Sequence, residues 1–279
     1  MAIAMKSDFV QAGSYRLQYF EEGDGEPIVL VHGYRSSGRV WALTQAALSP
    51  RYRSIAISNR GAGDSDHGTT PEDYTVEQFS EGVYEAVKTL GLTRFVLIGH
   101  SMGGATVTRF ALDHPEMLRG LVLLDPAPLA GRPLADGWQA QVEASWRAGT
   151  MEPASLQGGQ PDDYQAALRA DVLRNPLERL IGGRASMASL RLRERLGELK
   201  MPVLVVGGDR DDTVGVDNIL TEYRALRPDV RSLHVFHGIA HSPNSECPVE
   251  FAGMIERWIG TLSSEPSKVA TTAVPGGRL

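Results

Sequence analysis

The segment Gly99-His100-Ser101-Met102-Gly103-Gly104 sets a hydroxyl between glycines two positions to either side. It follows a short apolar run and precedes a helical pattern, the context of a nucleophile elbow. Turning from strand to helix within so few residues forces Ser101 into a strained backbone conformation and presses its neighbours together, which only glycines tolerate. The turn also leaves Ser101 at a helix N-terminus, where free amides and the helix dipole favour the negative charge that forms on a carbonyl oxygen under attack. A hydroxyl is a weak nucleophile by itself. It needs an imidazole to take its proton and a carboxylate to fix the imidazole's tautomer and stabilise its charged form.

Seven histidines compete for the base. His32 opens a glycine turn, His100 is adjacent to Ser101 on a tight bend and is expected to point away, and His67 and His114 sit in polar surroundings typical of surfaces. His234, His237 and His241 remain, around the end of the last strand. His241 follows Gly238-Ile239-Ala240 in a loop before the final helix and is favoured, with His237 in reserve. For the acid, Asp209, Asp211 and Asp212 crowd the loop after residues 202–206. Asp209 suits turn amides and Asp212 a helix cap, which leaves Asp211 as the favoured partner; Asp125, ending the run 121–124, is the alternative.

These residues need a scaffold. Short β-branched or aromatic runs recur at 15–20, 27–31, 52–57, 94–98, 120–124, 202–206 and 230–236, and helical patterns lie between several of them, at 40–48, 76–90, 102–112, 217–226 and 249–262. That alternation predicts an α/β fold with a mostly parallel central sheet and helices on both faces. Residues 9–11 and 15–21 flank Ala12-Gly13-Ser14, a link short enough only for an antiparallel hairpin, so the N-terminal edge is expected to be antiparallel. Residues 127–199 carry Pro128, Pro133 and Pro153 but no convincing strand, and read as a helical insertion into a core formed by 1–126 and 200–262. Residues 263–279 turn to Ser, Thr, Pro and Gly and read as a disordered tail.

The chain has 279 residues and ordinary globular usage, 42% hydrophobic and 22% charged, so a packed core is expected. Its formal net charge of −6 provides no basic field for nucleic acid. The single cysteine, Cys247, excludes an internal disulfide, and the absence of a Cys/His cluster gives no structural metal site. No apolar run approaches the roughly 20 residues of a membrane helix, and the first residues do not read as a signal peptide. A cytoplasmic protein without cofactor, nucleic-acid partner or membrane partner is expected; the sequence leaves its oligomeric state open. No dinucleotide, P-loop or zinc-protease motif occurs.

Five segments recur in the order and spacing of one superfamily: Val31-His32-Gly33-Tyr34, Asn59-Arg60-Gly61-Ala62-Gly63-Asp64-Ser65, residues 99–104, Gly208-Asp209-Arg210-Asp211 and Gly238-Ile239-Ala240-His241. The chain resembles the α/β-hydrolase serine hydrolases, with a general likeness to 3-oxoadipate enol-lactonases and small bacterial esterases. The resemblance implies Ser101 as nucleophile, Asp211 as acid, His241 as base, and the backbone amides of Tyr34 and Met102 as the oxyanion hole. It also implies that 127–199 forms a cap over the site. One departure is Ser58, where relatives usually carry an acid. Trp41, Trp138 and Trp146 are candidates for lining an apolar pocket. Arg184, Arg191, Arg193 and Arg195 beside Glu194 and Glu198 read as an ion-paired face, and Arg35, next to the oxyanion loop, as the better candidate to meet an anionic substrate.

The expected activity is hydrolysis of a small-molecule carboxylic ester or lactone through an acyl-enzyme. Amidase, carbon–carbon bond hydrolase and cofactor-free haloperoxidase chemistry share the same motifs, and a non-catalytic ligand-binding protein on this scaffold is the alternative from another class. Related dehalogenases and epoxide hydrolases use a carboxylate nucleophile, so Ser101 argues against both.

Overall fold

A computed structural model describes residues 6–156 and 160–262; the expected tail at 263–279 lies outside the described residues. Among the described residues, eight strands form one sheet: β1 (Ser7–Ala12), β2 (Tyr15–Glu22), β3 (Glu26–Val31), β4 (Tyr52–Ile57), β5 (Phe95–His100), β6 (Leu118–Leu124), β7 (Val203–Gly208) and β8 (Arg231–Phe236). Their spatial order is β1-β2-β4-β3-β5-β6-β7-β8. β1 and β2 form the expected hairpin, with Gly13 at φ 60° in its turn, and β2 lies antiparallel to β4. All later pairings are parallel.

The parallel strands read as continuous apolar runs because both sheet faces are covered. Side chains alternate between the two cores. Val29, Val31, Ile55, Ile57 and Leu97 pack on one face with α2 (Val76–Thr89) and α3 (Met102–Asp113). Ile28, Leu30, Ala56, Val96 and Ile98 pack on the other with α1 (Ala42–Leu48) and the last helix. Every residue of β5 is buried, as its central position demands.

Among the described residues, the chain between β6 and β7 holds no strand. It carries α4 (Trp138–Arg147), α5 (Asp162–Leu173) and α6 (Leu177–Ala188), then a 3₁₀ turn at Arg193–Glu198. Hydrogen bonds tie α6 to the rest: Tyr34 donates its hydroxyl to the Leu180 carbonyl at 2.8 Å, and the Val76 amide donates to Ser186 Oγ at 2.9 Å. After β7 come α7 (Val216–Ala225), β8, the short α8 (Pro243–Glu246) and α9 (Pro248–Ile259). The final helix stops before the expected 262, yet Leu262 still packs against the second core from the following turn. No helix among the described residues is long and apolar enough to cross a membrane.

Close packing at the junction of β5 and α3 rests on missing side chains. A Cβ on Gly99 would lie 2.2 Å from the Gly103 carbonyl oxygen, and one on Gly103 would lie 2.3 Å from the Val31 carbonyl oxygen. Backbone cannot move aside cheaply at the centre of a sheet. Gly103→Ala is therefore expected to lower stability by about 1–3 kcal/mol, read as a reduced urea midpoint. Gly197→Ala, where an added Cβ meets nothing within 4 Å, is expected to stay within about 0.5 kcal/mol of the parent.

Candidate active site

Ser101 follows β5 and caps α3 with φ 55° and ψ −118°, outside the regions an ordinary L-residue adopts. The strain expected of an elbow is present, at a cost of order 1–3 kcal/mol. Its backbone is pinned on two sides: its amide donates to the Leu124 carbonyl at 3.0 Å, and its carbonyl accepts from Gly104 at 2.9 Å and Ala127 at 3.0 Å. Gly33 comes so near that a Cβ there would lie 3.0 Å from Ser101 Cβ. This close approach brings the loop after β3, with Tyr34, beside the serine. Met102 opens α3, where first-turn amides have no intrahelical acceptor. Among the described residues, neither the Tyr34 nor the Met102 amide donates to a backbone carbonyl.

His241 and Asp211 meet at the same sheet edge. The imidazole Nδ1 lies 2.8 Å from Asp211 Oδ2, with both residues buried. Asp211 Oδ1 accepts from the amides of Thr213 at 2.7 Å and Val214 at 3.1 Å. Burial alone would raise its pKa; the His241 contact and those two amides outweigh it and hold the carboxyl below its ordinary value. The imidazole loop is fixed at several points. His100 Nε2 donates to the His241 carbonyl at 2.7 Å, which joins that loop to the residue preceding Ser101. Glu246 accepts from the amides of Ala240 at 2.9 Å and Ser242 at 2.8 Å, bracketing His241. Nothing in the sequence reading singled out Glu246; the available signal was an acid in the first turn after the histidine.

His234, the third of the late histidines, lies within β8 with its ring against Phe236. Burial pushes His100 and His32 down to about 3, so both stay neutral, and His32 bridges Gly33 and the Asn59 amide. His237 is exposed and pairs with Asp209 at 2.7 Å, while Asp209 also accepts from Gly238; this pair secures the turn after β8. Asp212 does not cap α7, whose N-cap is Gly215. Ser58 serves without an acid, its Oγ accepting from the Gly38 amide at 3.0 Å.

Asp125, the alternative acid, is fully buried at the end of β6 with φ 39°. Its Oδ1 accepts from the Gly208 amide at 3.2 Å, and among the described residues its Oδ2 has no donor. Burial, then the Asp211 charge, raise its pKa well above the ordinary carboxyl value. A proton on Oδ2 meets both conditions, since two adjacent carboxyls cannot both ionise cheaply. Asp125, Asp211 and His241 each place one donor atom within 4.8 Å of the others. With Asp125 protonated and Asp211 already accepting three hydrogen bonds, this trio fits a proton-bonded cluster better than a cation site, which requires deprotonated ligands.

A cleft of about 430 Å³ opens over Ser101, lined among others by Tyr34, Leu134, Met187, Val214, Arg132 and Arg184. The three tryptophans named from the sequence do not line it. Trp41 is sealed in the second core against Phe251, because the 3₁₀ turn Gly38–Trp41 folds its ring inward. Trp146 is 38% exposed and donates its indole N–H to the Asn175 carbonyl. Trp138 lies on α4 with the Arg184 guanidinium 5.8 Å from its ring. Arg35, at φ 55°, lines an adjoining hollow.

A sequence profile of the α/β hydrolase fold matches residues 26–191. The chain belongs to the α/β-hydrolase fold family. A 2-(acetamidomethylene)succinate hydrolase from Mesorhizobium japonicum is 28% identical over 253 residues, covering 86% of this chain and 90% of that protein. Among solved structures, a hydrolase from Pseudomonas aeruginosa superposes with a TM-score of 0.78 at 22% identity, over 92% of this chain and 99% of its own. An esterase from Exiguobacterium antarcticum gives 0.77 at 20% identity, over 92% and 100%. At such identities the superpositions establish the α/β-hydrolase fold, and the chemistry must be argued from the residues.

The raised pKa of Asp125 has a measurable consequence. The folded protein retains a proton that the unfolded chain releases above about pH 4, so stability from this group is full below that pH and is lost as pH rises towards the folded value. Asp125→Asn removes the dependence. Its stability relative to the parent, read by urea unfolding, is expected to be higher at pH 7.5 than at pH 4.5; a difference independent of pH would show that Asp125 is ionised.

Proposed function

We propose that this chain is a cofactor-independent serine hydrolase that cleaves a carboxylic ester or lactone. The observation that carries the reading is the buried 2.8 Å contact of His241 Nδ1 with Asp211, at the sheet edge where the strained Ser101 turn opens into a cleft. Asp211, kept ionised, holds the proton on Nδ1 and leaves Nε2 as the base. Ser101 Oγ attacks the substrate carbonyl carbon while its proton passes to Nε2. The Tyr34 and Met102 amides stabilise the oxyanion. Collapse of the tetrahedral intermediate breaks the bond to the leaving oxygen, which takes the proton from the imidazolium. Water then repeats the sequence on the acyl-enzyme, releasing the acid and restoring the serine.

The ester or lactone choice follows from the leaving group. An alcohol-level oxygen is a better leaving group than an amine nitrogen, so an ester or lactone asks least of the single proton that His241 delivers. The helices of 127–199 act as a cap: α6 and the loop before α4 supply most of the wall opposite Ser101, so this segment sets the size and polarity of what enters.

On a short aryl ester, Ser101→Ala and His241→Ala are each expected to lower kcat by at least about 10³-fold, and the double variant to be no worse than the worse single one, because the pair acts as a unit. Losses that multiply would mean that the two side chains do not share a proton. Asp211→Asn is expected to cost less than either yet more than Asp125→Asn. The reverse order for the two aspartates would move the acid to Asp125. A panel of aryl esters, lactones and amides under the same conditions reads the bond class directly.

A further inference from the structure

Nine arginines lie in the segment 127–199, and eight have acceptors among the described residues. Arg147, Arg169, Arg174, Arg193 and Arg195 pair with carboxylates. Arg132 donates to the Thr213 and Val214 carbonyls, Arg191 to those of Ala130 and Leu190, and Arg179 to the Arg60 carbonyl and the Asn175 side chain. Arg184 is the exception. It is half-buried, and among the described residues its guanidinium has no hydrogen bond or ion pair, only the Trp138 ring at 5.8 Å.

Its position gives this meaning. Arg184 lines the cleft over Ser101 and also the adjoining hollow of about 170 Å³, which shares Tyr34 with that cleft and includes Arg35, Gln141 and Ser145. Arg35 likewise has no carboxylate among the described residues, only the Tyr34 ring at 5.7 Å. Among the described residues, no Asp or Glu lines either space, although the chain as a whole carries a formal charge of −6. A guanidinium held at the rim of an apolar cleft by an aromatic ring, without a counter-ion, presents a planar fork matched to a carboxylate.

We propose that Arg184, with Arg35 across the adjoining hollow, binds a carboxylate of the substrate, so that the enzyme selects esters or lactones bearing a second, anionic group over neutral ones. This rests on Ser101 hydrolysis as proposed above, with the reacting carbonyl at Ser101 and the anionic end towards the hollow. The apolar wall formed by Leu134, Met187 and Val214 takes the carbons between them. A planar guanidinium fork suits a carboxylate monoanion better than a phosphate dianion, for which more cations are expected to converge.

The test compares kcat/KM on charged and neutral esters of matched size. Mono-p-nitrophenyl glutarate against p-nitrophenyl valerate places the charge on the acyl side, and 4-acetoxybenzoate against its methyl ester places it on the alcohol side. In the parent, one of the two anionic members is expected to be preferred, which also identifies the side of the scissile bond that carries the charge. Arg184→Gln is expected to lower that preference by about tenfold to a hundredfold, mainly through KM, and Arg184→Lys, which keeps the charge without the fork, to retain part of it. Calorimetric titration with glutarate provides a readout without turnover, with weaker binding expected for Arg184→Gln. If esters are hydrolysed with the same charge preference in parent and variant, the carboxylate assignment is wrong and the hydrolase reading stands. If no ester is hydrolysed, glutarate decides: weakened binding in Arg184→Gln supports the assignment while the hydrolase reading falls, and equal binding overturns it.

Discussion

One backbone conformation organises the carboxyl edge of this sheet. Ser101 sits at φ 55°, ψ −118°, a state that a non-glycine residue holds only where its surroundings over-determine it. Here the constraint comes from hydrogen bonds on both sides of the serine, and from Gly99 and Gly103, which let β5, α3 and β3 approach to distances that any Cβ would forbid. The strain lifts the hydroxyl clear of the sheet and brings the Tyr34 loop against it. An unstrained turn would carry the same residues but aim them elsewhere.

Around that fixed point, charge is assigned by burial and by hydrogen bonds. Asp211 stays ionised because His241 and two amides outweigh its desolvation. Asp125, a few ångströms away, is held neutral by burial and by the Asp211 charge. His100 is neutral and its N–H reaches the His241 carbonyl. Glu246 clamps the residues on either side of His241. The proposed acid and base are thus each fixed by groups with no part in the proton transfers, as a preorganised site requires.

The sequence made the strands legible where burial was complete. β5 reads as an apolar run because no residue of it meets water, and the Ala12-Gly13-Ser14 link admits only a hairpin. Boundaries slipped where glycine continues a strand: β5 runs on through Gly99 and His100, and β7 through Gly207 and Gly208, where a Cβ on Gly208 would strike the Ala240 carbonyl at 2.2 Å. The meeting of His241 with Asp211 was anticipated from their loops. Three features were not legible, because each depends on contacts distant in sequence. Trp41 turns inward to pack against Phe251, Asp125 is held neutral by burial and then by the Asp211 charge, and Arg184 has no carboxylate partner among the described residues although two arginines after it in the same segment find theirs. Arg195 takes Glu198, and Arg193 takes Glu222 from α7 rather than a nearby acid.

Activation of Ser101 by His241 can be read by covalent labelling of the serine. Folded protein treated with a fluorophosphonate and read by intact mass and peptide mapping is expected to carry one adduct, on Ser101. The adduct is expected to be absent in Ser101→Ala and to form at least about 100-fold more slowly in His241→Ala. Folded protein that stays unlabelled, or that labels equally fast without His241, would contradict the account.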